Sequence, residues 1–208
     1  MSAIDAVDWW RARHAAPLAR TNAGLRYYIR KIDAEPEVTQ RLKRFTTIVD
    51  KMRRHATMQL DTMEDIAGVR AVLPSQSHVD ALLQELRSQR RWMIRRTREY
   101  VTGRHPGPKG DGYRAVHLTV VRDGCFVEIQ LRTPWQDAWA QSVEQDTRRL
   151  SQGLKFGSGP ADLRNYYRVV ADLFEAREME REPGGDLLED LARLFASTRH
   201  YYAEGEDQ

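Results

Sequence analysis

The sequence predicts an α+β fold in which a small mixed β-sheet is packed and flanked by helices. Two patterns support this prediction. The middle of the chain contains short segments with apolar residues at a period of two, and the segments around them repeat apolar residues at helical spacing. With 208 residues, the chain is long enough for one domain with a substantial core and helical extensions.

A β-hairpin is the clearest predicted element, and it covers residues 112–133, GYRAVHLTVVRDGCFVEIQLRT. Asp123 and Gly124 have the chemistry of a two-residue type I′ turn, in which both central residues need a positive φ. This turn sets the register and places His117 opposite Gln130. One face of the hairpin then carries Tyr113, Ala115, His117, Thr119, Glu128, Gln130 and Arg132. The other face carries Val116, Leu118, Val120, Val127, Ile129 and Leu131.

The polar face of this hairpin has two interpretations. Exposed polar faces are common in antiparallel sheets, so the groups could form an ordinary solvated surface. The alternative is a functional cluster, because a carboxylate, an amide, an imidazole, a guanidinium and a phenol would lie within reach of one another.

Helices are predicted for the N-terminal part of the chain. Residues 3–33 have the pattern of a helix that Pro17 kinks or divides. Its candidate core residues are Trp9, Trp10, Leu18, Leu25, Tyr28 and Ile32. A second helix is predicted after Pro36, with an apolar stripe formed by Val38, Leu42, Phe45, Ile48, Val49 and Met52. Another face of this helix would carry Lys43, Thr47, Lys51 and Arg54, an arrangement that can hold a polyphosphate.

Alternating elements are predicted for the middle of the chain. A short helix capped at residues 61–62 precedes a strand over residues 69–73. An amphipathic helix follows, with Val79, Leu82, Leu83 and Leu86 on its apolar side. Residues 92–97 form the next predicted strand, and residues 102–112 form a loop rich in glycine and proline. Loops of this kind commonly close over ligands.

Three helices are predicted after Pro134, over residues 138–150, 161–181 and 186–202. The last helix has an apolar stripe from Leu187 to Phe195, which either packs on the sheet or associates with another copy of the chain. We expect an N-terminal helical extension over residues 1–35, a central domain over residues 36–157 and a C-terminal helical extension over residues 158–208.

Composition limits the classes of protein to consider. No apolar run approaches the ~20 residues of a membrane span, and the N-terminus lacks the apolar core of a signal peptide, so we expect a cytoplasmic protein without a membrane partner. The single cysteine, Cys125, excludes an intramolecular disulfide and is expected to be buried. Six basic residues lie between Arg41 and Arg54 and six more between Arg87 and Arg98, which suits a phosphate-rich ligand or a solvated helix face.

The charged residues favour phosphoryl or nucleotidyl transfer. Asp65 stands just before a strand and Glu128 within one, so folding can bring both to a shared Mg²⁺, which takes one or two carboxylates together with phosphate oxygens. A plain helix cap is the alternative role of Asp65. The sequence lacks a Walker motif, a Rossmann fingerprint, a G-x-S-x-G elbow and a plausible catalytic cysteine, which disfavours the other common chemistries.

Six ordered motifs resemble the synthetase domain of the RelA/SpoT family. They are RLK (41–43), TIVDK (47–51), DIAGVR (65–70), EYV (99–101), PKGDGYRAVH (108–117) and EIQLRT (128–133). The segments AWAQSVEQ (138–145) and LKFGSGP (154–160) resemble those of small stand-alone synthetases, including toxic branches. The resemblance implies a nucleotidyltransferase-like fold and a Mg²⁺-dependent pyrophosphokinase. Such an enzyme transfers the β,γ-diphosphate of ATP to the 3′-hydroxyl of GDP or GTP, releases AMP and makes the (p)ppGpp alarmone.

The resemblance also implies how the donor is bound. By motif position, Arg41 and Arg70 would sandwich the adenine of ATP. Lys43 and Lys51 would hold the ATP phosphates. Taken singly, Lys43 or Arg70 could instead be a surface charge.

The catalytic group is implied by the same motifs. Asp65 and Glu128 would be the magnesium ligands, and Glu128 would also activate the attacking hydroxyl. Gln130 and Arg132 would support Glu128. Catalysis in such an in-line displacement comes mainly from positioning and charge neutralisation.

The acceptor would be held by three residues. Tyr113 would stack on the acceptor base, while Lys109 and His117 would contact acceptor phosphates. Asp111 stands where the family commonly has Asn, and its negative charge disfavours a free diphosphate beside it. A packed strand aromatic is the alternative for Tyr113, and a hydrogen-bonded structural residue is the alternative for His117.

The identity of the acceptor stays open at the level of sequence. The alternative to GDP or GTP is the 3′-CCA end of tRNA, which a toxic synthetase would modify to block translation. Its backbone could be met by Arg53, Arg54, Arg95, Arg96 and Arg98. A second alternative is an inactive module that senses a nucleotide. A second copy of the chain and a neutralising partner protein are the candidate protein partners.

Overall fold

A computed structural model describes residues 2–32, 34–35, 37–55, 57–107, 109–150 and 159–203 of the chain. The chain divides into two compact units. The first consists of Met1–Arg98 and Val116–Arg132, and the second of Glu99–Ala115 and Thr133–Gln208. The loop before the hairpin thus belongs with the C-terminal helices. The division at residues 36 and 158 expected from the sequence stays a prediction.

Five strands form one mixed sheet. They are β1 (Glu37–Leu42), β2 (Ala67–Val72), β3 (Ile94–Tyr100), β4 (Ala115–Arg122) and β5 (Cys125–Arg132). Their order across the sheet is β1-β2-β5-β4-β3. β1 pairs with β2 and β4 with β5 in antiparallel fashion, whereas β2 and β5 are parallel. The predicted mixed sheet of an α+β fold is therefore confirmed.

The predicted hairpin is formed by β4 and β5. Asp123 and Gly124 have φ values of 52° and 73°, as a type I′ turn requires. The predicted register is confirmed, since Arg122 pairs with Cys125 and His117 with Gln130. The apolar face is completely buried at Val116, Leu118, Val120, Val127, Ile129 and Leu131. Cys125 is buried, as expected.

The placement of Tyr113 on this hairpin was wrong. β4 begins at Ala115, so Tyr113 lies in the preceding loop and belongs to the second unit. The period-two argument fails there because the carbonyl of Tyr113 accepts the N–H of Lys109 and so belongs to the turn before the strand.

Four α-helices accompany the sheet in the described residues of the first unit. They are α1 (Ala3–Arg13), α2 (Ala15–Lys31), α3 (Phe45–Arg54) and α4 (Gln76–Ser88). α2 and α4 pack against the sheet, and α4 buries the predicted residues Val79, Leu82, Leu83 and Leu86. The helix predicted over residues 3–33 is divided at His14, and Pro17 lies in the first turn of α2, where its missing N–H is tolerated. Trp9 was wrongly assigned to the core, because it remains 56% exposed.

The helix predicted after Pro36 is wrong in its first half. Residues Glu37–Leu42 form the edge strand β1, and helix α3 begins only at Phe45. β1 buries a single residue, Val38, whose spacing to the apolar residues of α3 happens to match a helical stripe. Pairing with β2 decides the outcome, because tertiary contacts override such a weak local pattern.

Two smaller predictions are corrected. The short helix expected after residues 61–62 is not formed. The chain makes two turns there, in which the backbone N–H of Thr62 donates to the carbonyl of Gln59 and that of Met63 donates to the carbonyl of Leu60. The strand predicted from residue 92 starts at Ile94, because residues Arg90–Trp92 form a 3₁₀ turn. Trp92 is buried in that turn.

The second unit contains the remaining helices. They are α5 (Pro134–Arg149), α6 (Ala161–Glu178), α7 (Gly185–Thr198) and α8 (His200–Ala203). A capping box between Thr133 and Gln136, with Pro134 in the first turn, starts α5 four residues earlier than predicted. The core of this unit consists of Trp139, Val143, Leu163, Tyr167 and Ala171.

Helix α7 packs on α6 within the second unit. The expected packing of this helix on the sheet stays a prediction. Helix α7 buries Leu194 and Thr198, whereas Leu188 and Phe195 stay exposed. The motif LKFGSGP lies outside the described residues up to Ser158, and the polar tail from Glu204 also lies outside them. None of the described helices is long and apolar enough to cross a membrane.

Candidate active site

Strand register builds a polar face on the sheet of the first unit. Residues that pair across neighbouring strands project their side chains to the same face. One row across the sheet consists of Arg41, Gly68, Glu128 and Thr119. The next row consists of Thr39, Arg70, Gln130 and His117. Six of the predicted site residues therefore share this face: Arg41, Arg70, His117, Glu128, Gln130 and Arg132.

A two-lysine clamp holds Asp65 beside this face. Lys43 Nζ lies 2.7 Å from Asp65 Oδ2, and Lys51 Nζ lies 2.8 Å from Asp65 Oδ1. The backbone N–H of Lys43 donates to the carbonyl of Ile66 at 2.7 Å, which continues the β1–β2 pairing and fixes Lys43 next to Asp65. Lys43 was wrongly predicted to lie on a helix with Lys51, yet the two side chains still converge on one carboxylate.

The clamp keeps Asp65 ionised. Burial alone would raise the pKa of this carboxyl, but the hydrogen bonds and charges of Lys43 and Lys51 outweigh it and lower the pKa below its usual range. The clamp thus consists of two cations and one anion, so one positive charge remains uncompensated within it. Such a cluster attracts an anionic ligand.

Glu128 has a hydrogen-bond partner for each carboxylate oxygen. His117 Nδ1 lies 3.0 Å from Oε1, and Gln130 Nε2 donates to Oε2 at 2.7 Å. Arg132 Nη2 in turn donates to Gln130 Oε1 at 2.9 Å. Gln130 and Arg132, the two residues predicted to support Glu128, thus form a chain of hydrogen bonds that ends on its carboxylate.

These partners depress the pKa of Glu128 strongly. Burial favours the neutral acid, but the hydrogen bond and charge of His117, the hydrogen bond of Gln130 and the charge of Lys43 together lower the pKa to about 2. The influence of Lys43 also links the Asp65 clamp to Glu128 electrostatically. Both carboxylates are therefore ionised at neutral pH.

The carboxylates near the polar face fit Mg²⁺ better than a metal ion that needs a closed cage of protein ligands. In the described part of the chain, no cluster of three or more His, Cys, Asp and Glu side chains could hold a metal. Mg²⁺ does not need such a cage, because it binds one or two carboxylates and completes its octahedron with water and phosphate oxygens. Asp65 and Glu128 match that requirement.

Glu64 is a neighbour of this site that sequence reasoning missed. Its Oε2 atom accepts hydrogen bonds from Thr119 Oγ1 and Arg96 Nη1, each at 3.2 Å, and Arg95 Nε lies 3.9 Å from Oε1. Thr119 pairs with Glu128, so Glu64 brings a third carboxylate to the same row. Its position next to Asp65 in sequence was the available signal, but the predicted helix would have turned these two side chains apart.

The second unit brings Tyr113 and Lys109 together in a tight turn. The N–H of Lys109 donates to the carbonyl of Tyr113 at 3.1 Å, and the N–H of Gly112 donates to the carbonyl of Lys109 at 2.8 Å. Lys109 Nζ lies 4.6 Å from the centre of the Tyr113 ring. Tyr113 also meets Tyr100 and Trp139 edge to face, with ring centres 5.8 and 6.1 Å apart.

Asp111 stabilises the same turn with a hydrogen bond. Its Oδ1 atom accepts a hydrogen bond from the N–H of Tyr113 at 3.1 Å. An asparagine oxygen could accept the same bond, so the turn geometry does not require the negative charge.

Two residues beside Tyr113 fasten the turn to α6, and sequence reasoning missed both. Arg114 is buried and pairs with Glu178 at 2.9 Å and with Glu175 at 3.6 Å. Gly112 lies so close to α6 that a Cβ atom added to it would stand 2.5 Å from the Cβ of Ala171. The signal available in the sequence was the glycine directly before Tyr113, which indicates a close approach of the backbone to another element.

Comparison with known proteins identifies relatives of this chain. An uncharacterized protein of Mycobacterium tuberculosis is 32% identical over 133 residues, which cover 61% of this chain and 45% of that protein. The GTP pyrophosphokinase YjbM of Bacillus subtilis is 29% identical over 113 residues, which cover 50% of this chain and 52% of that enzyme. The chain thus spans about half the length of the curated relatives it matches.

Solved structures show the same fold. The small alarmone synthetase 2 of Bacillus subtilis matches with a TM-score of 0.68 at 21% identity, over 82% of this chain and 92% of that one. The small alarmone synthetase 1 of the same organism, bound to its product pppGpp, matches with a TM-score of 0.67 at 22% identity, over 83% of this chain and 94% of that one. Residues 40–149, more than half of the chain, match the family described as the region found in RelA / SpoT proteins. The chain therefore belongs to the RelA/SpoT family.

Proposed function

We propose that the protein is a pyrophosphokinase that transfers the β,γ-diphosphate of ATP to the 3′-hydroxyl of GDP or GTP, with AMP as the second product. The observation that carries this proposal is the Asp65 clamp beside Glu128 in a chain of the RelA/SpoT family. Two ionised carboxylates and two lysines form a suitable site for a magnesium triphosphate.

The donor base would lie between Arg41 and Arg70. These two residues are diagonal neighbours on the polar face, since Arg41 pairs with Gly68 and Arg70 with Thr39. Diagonal positions in an antiparallel pair lie roughly 7–8 Å apart. That separation is about twice a carbon contact distance of ~3.5–4.0 Å, so a flat base fits between two guanidinium groups.

The phosphates would replace Asp65 as partners of Lys43 and Lys51. In the structure, the two lysines share the single carboxylate of Asp65. A bound triphosphate offers the lysines stronger anions and leaves Asp65 able to bind Mg²⁺ together with Glu128. The metal would supply charge neutralisation on the phosphates of the donor.

Glu128 would orient the attacking hydroxyl. The acceptor 3′-oxygen bonds to the β-phosphorus, the bond from that phosphorus to the oxygen of AMP breaks, and the hydroxyl proton passes by way of Glu128 to solvent. A carboxylate with a pKa near 2 is a weak base. Its main contribution is therefore charge and position, in agreement with the loose transition state of phosphoryl transfer. His117 and Gln130 hold its two oxygens in place.

Tyr113 would stack on the guanine, and Lys109 and His117 would contact the acceptor phosphates. Tyr113 and Lys109 share one turn, which supports a common role for them. His117 lies on the polar face with Glu128.

Transfer of label from ATP marked at the β-phosphate tests the proposal. We expect labelled guanosine tetra- or pentaphosphate and one AMP per transfer, with loss of both when EDTA removes magnesium. GMP, adenine nucleotides and purified tRNA serve as the other acceptors. ATP binding measured by calorimetry, with no AMP released for any acceptor, would instead identify a nucleotide-sensing module.

The tRNA 3′ end is the second candidate acceptor. Arg53 exposes 77% of its side chain and Arg95 exposes 53%, although Arg95 and Arg96 share Glu64. Exposed arginines can hold a nucleic-acid backbone. If tRNA accepts the label, its use must fall steeply as salt rises, whereas labelling of GDP alone would reject this candidate.

A further inference from the structure

Gly68 leaves a gap at the centre of the polar face. It lies between Arg41 on β1 and Glu128 on β5 in the same row, and Arg70 follows it on the same face of β2. A Cβ atom added to Gly68 would have no heavy atom within 4 Å. The missing side chain therefore opens space between two cations and a carboxylate.

The backbone does not require a glycine at this position. Gly68 is in the interior of strand β2, paired on both sides, and its φ is outside the left-handed region in which glycine is favoured. Glycine weakens a strand because it adds conformational freedom and packs no side chain. A glycine in such a place typically marks the close approach of a ligand or another backbone. The register of β2 with β1 and with β5 runs through Gly68 without a bulge, and no other backbone of the described residues approaches it, so a ligand is the remaining explanation.

The groups around the gap indicate which ligand. Arg41 and Arg70 lie toward one end, and Glu128 and the Asp65 clamp lie toward the other. We propose that the ribose–phosphate segment of the donor nucleotide crosses the sheet in contact with the backbone of Gly68, an inference that rests on the proposed function. Gly68 would thus determine whether a nucleoside triphosphate can span from the arginines to the carboxylates.

The substitutions G68A and G68V test this assignment, because the open space lets the fold accept both. We expect the Tm of each variant to equal or exceed that of the parent chain. The Kd for magnesium ATP, measured by calorimetry without acceptor, should rise about tenfold for G68A and at least about a hundredfold for G68V, as expected for a steric cost that grows with side-chain volume. The KM for the acceptor should stay within about twofold.

Two controls make the result specific. Gly185, at the start of α7, also has no atom within 4 Å of an added Cβ, so G185A reports the effect of a Gly-to-Ala change away from the sheet. Inorganic triphosphate, which lacks the ribose, should bind G68A within about threefold of the parent chain, because its partners would be Lys43 and Lys51.

The outcomes separate this inference from the proposed function. Unchanged ATP affinity in G68A, or an equal loss for ATP and inorganic triphosphate, would overturn the crossing at Gly68 and leave pyrophosphate transfer by the parent chain intact. Failure of the parent chain to bind ATP at all would overturn both. Weaker ATP binding together with a folded, more stable variant supports the inference.

Discussion

The residues proposed to bind the donor, here called the donor half, and the turn proposed to bind the acceptor base, here called the acceptor half, belong to different units and are held in place by different means. In the first unit, strand register and ion pairs hold the side chains: Glu128 is bound at both oxygens and Asp65 is clamped by two lysines. In the second unit, a single turn carries Tyr113 and is fastened to α6 by a buried ion pair and a close backbone contact. The first arrangement fixes charge, whereas the second fixes the position of an aromatic ring. Substitutions in the two halves should therefore affect different kinetic constants.

The largest effect is expected for E128Q. This change removes a charge but little volume, so ATP affinity should be largely kept while transfer falls by ~10²–10⁴-fold or more, because both a metal ligand and the group that orients the hydroxyl are lost. The measurement is kcat for AMP release, alongside ATP binding by calorimetry. D65N should behave similarly.

A matched control comes from the same unit. Asp50 on α3 is exposed, and its Oδ1 atom lies 3.9 Å from Arg53 Nη1. D50N therefore removes a carboxylate without changing the polar face. We expect D50N to change kcat by less than about twofold, since an isolated surface pair contributes little. Normal turnover in E128Q or D65N would rule out the metal site assigned to these residues.

A large effect on the acceptor half is expected for G112A. The residue has a φ of 91°, which costs a non-glycine residue about 1–3 kcal/mol, and its new Cβ would collide with Ala171. The turn must then shift away from α6. The KM for the acceptor should rise by at least tenfold and the free energy of unfolding should fall, while the Kd for ATP stays unchanged.

The double variant G112A/A171G tests whether the collision with α6 is the cause. Removing the Ala171 methyl group restores the space, although a glycine within the helix itself costs about 1 kcal/mol. Part of the lost acceptor affinity should therefore return, with a favourable coupling of ~0.5–3 kcal/mol between the two positions. Strict additivity would show that the backbone strain at Gly112 acts alone.

The sequence predicts these two halves unequally well. The hairpin was predictable because a two-residue turn and a period of two determine which residues face each other. That register also brought the polar groups around Glu128 within reach of one another, but the hydrogen bond between Glu128 and His117 was not predicted. Lys43 was assigned to the wrong element, since pairing with β2 turns residues 37–42 into an edge strand. The role proposed for Lys43 still followed from the family motif.

The surroundings of Tyr113 could not be predicted in the same way. Arg114 pairs with Glu178, which lies 64 residues further along the chain, and no local pattern links these positions. Gly112 and Ala171 meet for the same non-local reason. The meaning of Asp111 also depended on the structure, because its oxygen accepts the N–H of Tyr113.

A smaller effect is expected for Tyr113 itself. Loss of stacking in Y113A should weaken acceptor use by ~1–3 kcal/mol, the usual range for one base on an aromatic ring. Y113F keeps the ring and should stay close to the parent chain. The comparison of KM for the acceptor in the two variants measures stacking apart from any contribution of the hydroxyl, and equal losses in both would contradict the stacking role.

The smallest effect concerns the pH dependence of the first unit. His14 is buried between α1 and α2, with Nδ1 2.8 Å from the carbonyl of Trp10, and burial lowers its pKa below the usual value of 6.5. Above pH 6.5, the imidazole is neutral in both the folded and the unfolded chain. As the pH falls below that value, the unfolded chain binds a proton that the folded chain resists, so stability is lost.

H14Q removes this titration while offering a side-chain amide to the same carbonyl. The free energy of unfolding, measured by urea titration at pH 7.5 and pH 5.5, should therefore fall more for the parent chain than for H14Q. Acid-sensitive carboxylates such as Asp65 and Glu128 contribute equally to both proteins and cancel in the difference. The same difference should not depend on ATP, because His14 lies outside the donor half. An equal loss of stability in the two proteins would mean that the folded chain takes up a proton on His14 as readily as the unfolded chain does.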